Sequence, residues 1–166
     1  LQQTLLTRAP EDAVSVFEFT ETHQQIGEML RRFCEREIEP VIDGLERGEV
    51  DPFSLLRRLS DTFGLGEMVE GPLRRKAERL RAGEPSQGGG GGPFGDPGLA
   101  TVFSKELAGY SPGLCLCAAA TVGCGSTIAA RGDADLVERC AIPLLSLKSV
   151  GCWALTEPGS GSDAFA

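Results

Sequence analysis

From Leu114 to Ala130 the chain carries no charged residue and is almost entirely small and apolar, with Cys115, Leu116, Cys117, Ala118, Ala119, Ala120, Val122 and Ile128 along it. A helix that is apolar all round has no face to give to water, so this stretch predicts a buried helix with neighbours packed close on every side. That requirement points to a helical bundle. Ser111-Pro112 marks the start of this helix and Gly132 its end. Asp133 is a good N-cap for a further helix to about Leu145, with Leu136, Val137, Cys140, Ala141 and Leu144 on its inner face and Pro143 weakening its last turn.

The neighbours can be read upstream. Residues 1–17 lack periodicity and read as an extended or loosely helical lead. Thr20 or Thr22 caps a helix to about Ile38, its apolar face formed by Ile26, Met29, Leu30 and Phe33 at i, i+3, i+4, i+7. Pro40 ends or bends it. Asp51-Pro52 is an N-cap followed by proline at the first helical position, and Phe53, Leu55, Leu56, Leu59 and Phe63 form the stripe behind it. Gly64 and Gly66 are read as the stop. Pro72 to Ala82 reads as a short basic helix with Leu73, Ala77 and Leu80 on one side, either a solvated decoration or a docking patch for an acidic partner. Residues 83–98 hold a run from Gly88 to Gly92 with prolines on both sides, and are expected to form a flexible loop free of helix. Leu99 to Ala108 returns to helix, with Leu99, Val102, Phe103 and Leu107 on one face.

Charge and cysteine usage narrow the function classes. The net charge of −8 argues against a general nucleic-acid surface. The only basic excess lies in residues 72–82, with five basic residues against one acidic. No apolar run approaches the roughly 20 residues that a membrane span needs. The six cysteines, Cys34, Cys115, Cys117, Cys124, Cys140 and Cys152, form no C-x-x-C pair and read as buried free thiols in a reducing compartment, the cytoplasm or a mitochondrial matrix. His23 is the sole histidine, read as a surface helical residue, which leaves no metal site and no histidine-based triad.

The last stretch differs in kind. Val150 to Leu155 reads as a buried apolar strand, broken by Thr156-Glu157-Pro158 and followed by Gly159-Ser160-Gly161-Ser162-Asp163. Two glycines two apart allow close approach of backbone to a ligand, and successive N–H groups in such a turn can form a nest for an anion. Thr156, Ser160 and Ser162 add hydroxyls. This chemistry suits a phosphorylated cofactor with a polar ring edge.

The octapeptide T-E-P-G-S-G-S-D, preceded by an apolar run and a helical region, resembles the signature at the start of the middle domain of acyl-CoA dehydrogenases. The resemblance covers almost the whole chain, which is less than half of that family's usual length. It implies a mainly α fold: an N-terminal helical domain over residues 1–148, with a Gly/Pro-rich insertion at about 83–98, leading at 149–166 into the first strand and cofactor loop of an incomplete β domain. It implies FAD as cofactor, held by Trp153, Ala154, Leu155, Thr156, Gly159, Ser160, Gly161 and Ser162, with Thr156 at the flavin ring edge and Ser162 also meeting the acyl-CoA. The implied reaction is α,β-oxidation of an acyl-CoA thioester to the 2-enoyl-CoA, with an electron-transfer acceptor and a homo-oligomeric assembly. The family's catalytic base lies in a C-terminal domain outside this chain, so the 166 residues alone are expected to be inactive. Ser160 stands where alanine is commoner. In the same family a short glycine loop near the acyl site follows the second helix; here it looks replaced or expanded. Two other readings compete: an acyl-CoA oxidase or flavin monooxygenase relative on the same scaffold, and a non-catalytic assembly partner.

Overall fold

The computed structural model describes residues 18–84 and 95–161. The lead at 1–17, residues 85–94 of the glycine-rich insertion, and Ser162 with the four residues after it lie outside that range. Eight α-helical elements follow in order among the described residues: α1 Glu21–Phe33, α2 Ile42–Glu46, α3 Pro52–Phe63, α4 Leu65–Arg81, α5 Pro97–Tyr110, α6 Pro112–Arg131, α7 Ala134–Leu136 and α8 Ile142–Leu145. The mainly α fold is as the pattern predicts. Neither the strand at Val150–Leu155 nor any other strand forms among the described residues.

Prolines shape two of these runs. A π turn, Cys34–Ile38, and a 3₁₀ turn, Glu39–Val41, join α1 to α2, with Pro40 inside the 3₁₀ turn. A second π turn, Val137–Ala141, joins α7 to α8, and Pro143 follows it by two residues. Proline lacks the donor for the i−4 bond and its ring crowds the carbonyl there. Widening the helix by one residue just before the ring accommodates both effects.

The caps hold where the sequence places them. Thr20 accepts from the His23 amide, Asp51 from Phe53, Ser111 from Leu114 and Asp133 from Leu136. Asp96 caps α5 in the same way, accepting from Gly98 and Leu99. This corrects the expectation that residues 83–98 are free of helix: Asp96-Pro97 repeats the Asp51-Pro52 start signal, and Pro97 and Gly98 are helical. A second correction concerns α4. Gly64, at φ 64°, turns the chain from α3 straight into a helix that begins at Leu65 and runs through Pro72. Gly66 is therefore helical, with the Lys148 ammonium against it.

Two linked cores result. The first gathers Leu30, Phe33, Cys34 and Ile38 of the α1 run, Leu55, Leu56 and Leu59 of α3, Leu107 of α5 and Leu114 of α6. Phe33, Phe63 and Phe103 stack edge-to-face through it, with centroids 6.1 and 5.8 Å apart. The second gathers Val69, Leu73 and Ala77 of α4 with Ala129, Ala134, Val137, Ala141 and Leu145. The inner face of α1 is centred on Gly27, Leu30 and Phe33, while Met29 is exposed. The cause is Gly27, where an added Cβ would sit 3.3 Å from Val102 Cγ1, so α5 approaches α1 at a position an apolar count ignores. Leu136 is likewise exposed, because the α7–α8 face centres on Val137 and Ala141.

Ion pairs brace the bundle. Arg31 grips Glu106 with two bonds of 2.9 and 3.0 Å, tying α1 to α5 and holding the buried Glu106 carboxyl below the usual carboxylate range. In the basic segment, Arg81 binds Glu138 and Asp135, and Arg74 binds Glu70. Half of that segment's arginines are thereby spent within the fold, and Lys76 is buried.

His23 is not a surface residue, since its side chain is only 11% exposed. Its Nδ1 accepts from the Thr20 amide at 3.2 Å, so Nε2 carries the proton and donates to Asp96 at 3.1 Å. One imidazole thus joins the caps of α1 and α5. Gly98 lies directly beneath the ring, where a Cβ would collide with His23 Cε1. Gly98→Ala is expected to cost about 1–3 kcal/mol by overpacking. Urea unfolding checks this, and a variant as stable as the parent would contradict it.

Candidate functional site

The terminal segment is positioned by what precedes it. Leu147 adopts φ 54°, a left-handed conformation unusual for leucine, and its side chain is buried at 3% exposure. Ser60 of α3 holds this corner by donating to the Ser146 carbonyl, and the amides of Lys148 and Ser149 both donate to the Pro143 carbonyl. The chain then leaves along α6. Thr121 accepts from the Gly151 amide at 3.3 Å and donates to the Gly151 carbonyl at 3.4 Å. Cys124 Sγ donates to the Cys152 carbonyl at 3.3 Å. Contact this close needs glycine: a Cβ on Gly151 would stand 2.9 Å from Cys124 Cβ and 3.1 Å from Leu144 Cδ2.

Trp153 then lies over Gly123, where an added Cβ would be 3.3 Å from the indole Nε1. Beyond it Ala154, Leu155, Thr156, Glu157, Pro158 and Gly159 are exposed. The expectation of a buried strand is corrected here: Val150, Trp153 and Leu155 are 44%, 47% and 49% exposed. The physical reason is that a strand needs a partner edge, and none exists among the described residues. The loop itself closes tightly. Glu157 and Ser160 exchange backbone hydrogen bonds of 2.8 and 3.2 Å. Neither glycine is demanded by the chain's own geometry. A Cβ on Gly159 would meet nothing within 4 Å, and one on Gly161 would meet only Thr156 Cγ2 at 3.9 Å. Both lie outside the left-handed region. The space over them is what a flat ligand brought close to backbone requires, so the residues present fit a flavin. The loop's fold brings together Thr156, Gly159, Ser160 and Gly161, with Trp153 at its root.

Periodicity alone did not reveal a cleft beside that root. An apolar slot of about 250 Å³ lies between α5 and α6, walled by Phe103, Leu107, Cys115, Ala119, Val122 and Gly123 and floored by Leu59 and Leu147. Its sequence signal is the row Cys115, Ala118/Ala119, Val122/Gly123, small residues at i, i+3/i+4 and i+7/i+8 that leave volume along one helix face. The same row corrects the expectation of an all-round buried α6. Only 22% of its most apolar 18-residue stretch is buried, and Leu116 is 70% exposed. With glycine, serine and threonine interspersed and Arg131 at its last position as its one charge, α6 is long and apolar enough to cross a membrane by length and composition, contrary to the expectation that no apolar run approaches that length. Its packing against α5, α8 and the α7–α8 π turn is that of a bundle helix.

On the other side of Trp153 a groove of about 480 Å³ is lined by Cys124, Thr127, Arg139, Cys140 and Cys152. All six cysteines are free, but the expectation that they are buried holds only for Cys34: four are partly exposed along α6 and the α7–α8 π turn, and Cys152 is exposed on the terminal segment. Burial pushes the Cys34 thiol up to about 11, with Glu106 and Glu35 adding to the effect. A thiol raised in the folded state binds its proton more tightly there, so this contribution to stability is complete below the ordinary thiol value and is lost as pH rises toward 11. At neutral pH, Cys152 is expected to react with a disulfide reagent within minutes and Cys34 only on unfolding. Peptide mapping after a timed pulse reads this directly, and early labelling of Cys34 would contradict it. Among the described residues no three histidine, cysteine or carboxylate side chains stand together as metal ligands.

Comparison with known proteins adds the relatives. The chain is 25% identical over 148 residues to a 3-(aryl)acrylate reductase of Clostridium sporogenes, an alignment spanning 89% of this chain and 35% of that protein. It is 24% identical over 150 residues to a short-chain-specific acyl-CoA dehydrogenase of Clostridium acetobutylicum, spanning 90% of this chain and 35% of that protein. A probable acyl-CoA dehydrogenase of Bacillus subtilis is 27% identical over 157 residues, spanning 94% of this chain and 23% of that protein. The sequence resemblance to acyl-CoA dehydrogenases is therefore sustained over about nine-tenths of this chain, which spans about a third or less of the length of these relatives. No family model and no solved structure matches it.

Proposed function

We propose that this chain is the N-terminal helical part of a flavin-dependent oxidoreductase acting on the α,β carbon–carbon bond of an acyl-CoA thioester. One observation carries the reading: the exposed T-E-P-G-S-G loop, uncrowded at Gly159 and Gly161, is rooted at Trp153, which lies over Gly123 in the lining of the apolar slot between α5 and α6. FAD, when bound, supplies the electron-accepting chemistry. The chain's part is placement. Thr156 would offer its hydroxyl to the flavin, and the backbone of Gly159–Gly161 would hold it. Hydrogen-bond donors at a flavin's polar edge favour the negative charge that builds there on reduction. The slot would take the apolar acyl chain away from water. Ser162 follows directly and is assigned to the thioester end. The base that takes the α proton is assigned to a part of the protein outside this chain, and the 166 residues alone turn over no substrate. The whole protein works as a homo-oligomer in a reducing compartment, passing electrons to a separate acceptor.

The relatives' names include both a dehydrogenase and an acrylate reductase, so both directions of reaction are tested. The test uses the full-length protein with short-chain acyl-CoA and the matching 2-enoyl-CoA. Acceptor reduction without oxygen consumption supports a dehydrogenase, oxygen consumption an oxidase, and turnover of neither substrate under any acceptor or donor overturns the reading.

A further inference from the structure

Threonine inside a helix ordinarily turns its hydroxyl back to the carbonyl four residues earlier. Thr62, Thr101 and Thr127 do so, donating to Arg58, Pro97 and Gly123 at 2.7–3.0 Å. Thr121 does not. It is completely buried, and its hydroxyl reaches thirty residues along the chain to take both polar groups of Gly151. A hydroxyl has one proton and spare lone pairs, so it can donate to the carbonyl and accept from the amide at once. Gly151 has no side chain to hold it off, and Leu144 and Cys124 close the space behind it. The clasp sits two residues before Trp153 and five before Thr156. Between Gly151 and the Glu157–Ser160 turn, the bond from Cys124 to the Cys152 carbonyl is the one further hydrogen bond to α6 among the described residues.

We propose that Thr121 is the positioning residue of the terminal loop: by clasping Gly151 it sets where Thr156 and Gly159–Gly161 stand relative to α6 and the apolar slot. Thr121 touches neither slot nor loop and acts only through Gly151. The consequence for cofactor binding rests on the flavin reading given above; the mechanical claim does not. Valine has the same shape as threonine and keeps the buried methyl, but it leaves the Gly151 amide and carbonyl without partners.

The experiment compares the full-length protein with Thr121→Val, Thr121→Ser and Thr121→Ala. Hydrogen exchange by mass spectrometry follows peptides covering 150–161, with α6 peptides as the control for folding. Retention of FAD and the visible flavin spectrum are read in parallel. The expected result for Thr121→Val is exchange about tenfold faster in 150–154, an unchanged α6, weaker FAD retention and a shifted flavin spectrum. Thr121→Ser, which keeps the hydroxyl, restores all of these. Thr121→Ala takes the place of valine should that variant not fold. Unchanged exchange in 150–154 overturns the proposal, as does faster exchange with FAD retention and spectrum unaltered. A parent protein that binds no FAD sinks the flavin reading, while the exchange results still decide for or against the clasp.

Discussion

Phe33→Ala is expected to lower the unfolding free energy by about 3–5 kcal/mol, the usual range for deleting a buried aromatic side chain. Phe33 is 2% exposed and is among the largest fully buried side chains in the described structure. It sits where the α1 run meets α3 and begins the edge-to-face chain that passes through Phe63 to Phe103. Removing it costs transfer free energy, the aromatic contact with Phe63, and the cavity left among Leu30, Leu56 and Leu59. The rigid helices on both sides cannot collapse fully into that space. Chemical denaturation followed by circular dichroism measures the effect, and a loss below about 1 kcal/mol would show that the first core is not organised around this ring.

In the full-length protein, Gly161→Val is expected to abolish FAD retention, and Thr156→Val to weaken it roughly 2- to 13-fold. The second figure follows from one hydrogen bond of about 0.5–1.5 kcal/mol at 1.36 kcal/mol per decade. The first follows from geometry. A side chain at 161 meets almost nothing in this chain, so valine there should leave the helical bundle intact. Its branched methyls would instead fill the space above the loop that a flat ring needs. The pair separates two explanations. If both variants keep full flavin with an unaltered spectrum, the loop is only a turn; if both lose it while the helices remain, the loop is a cradle.

Much of this was legible in the residues because helix signals are local. Thr20, Asp51, Ser111 and Asp133 cap the helices they were expected to cap, since a side-chain oxygen reaching the next turn needs no tertiary partner. The misreadings have tertiary causes. Met29 is exposed because Gly27, invisible to an apolar count, carries the contact with Val102. The imidazole of His23 is buried because Asp96, far away in sequence, caps the helix packed against it. The start of α4 was missed because a proline and two glycines read as breakers, whereas Gly64 only turns the chain and Pro72 rides within the helix. In the terminal segment, the tight turn could be read from Pro158 and the glycines, whereas the slot left only a faint signal in the small residues of α6 and the Thr121 clasp left none. Small residues and one turned hydroxyl acquire meaning only when α5 and the terminal segment are laid against α6.

The central claim is that this loop and slot serve a flavin and an acyl-CoA, and anaerobic titration of the full-length protein tests it most directly. Purified protein should carry FAD, and stoichiometric short-chain acyl-CoA should bleach the visible flavin absorption within the mixing time of a stopped-flow instrument or soon after. A protein that carries no flavin and gains none on incubation with FAD would contradict the account, and so would one whose bound flavin is bleached by dithionite but by no acyl-CoA.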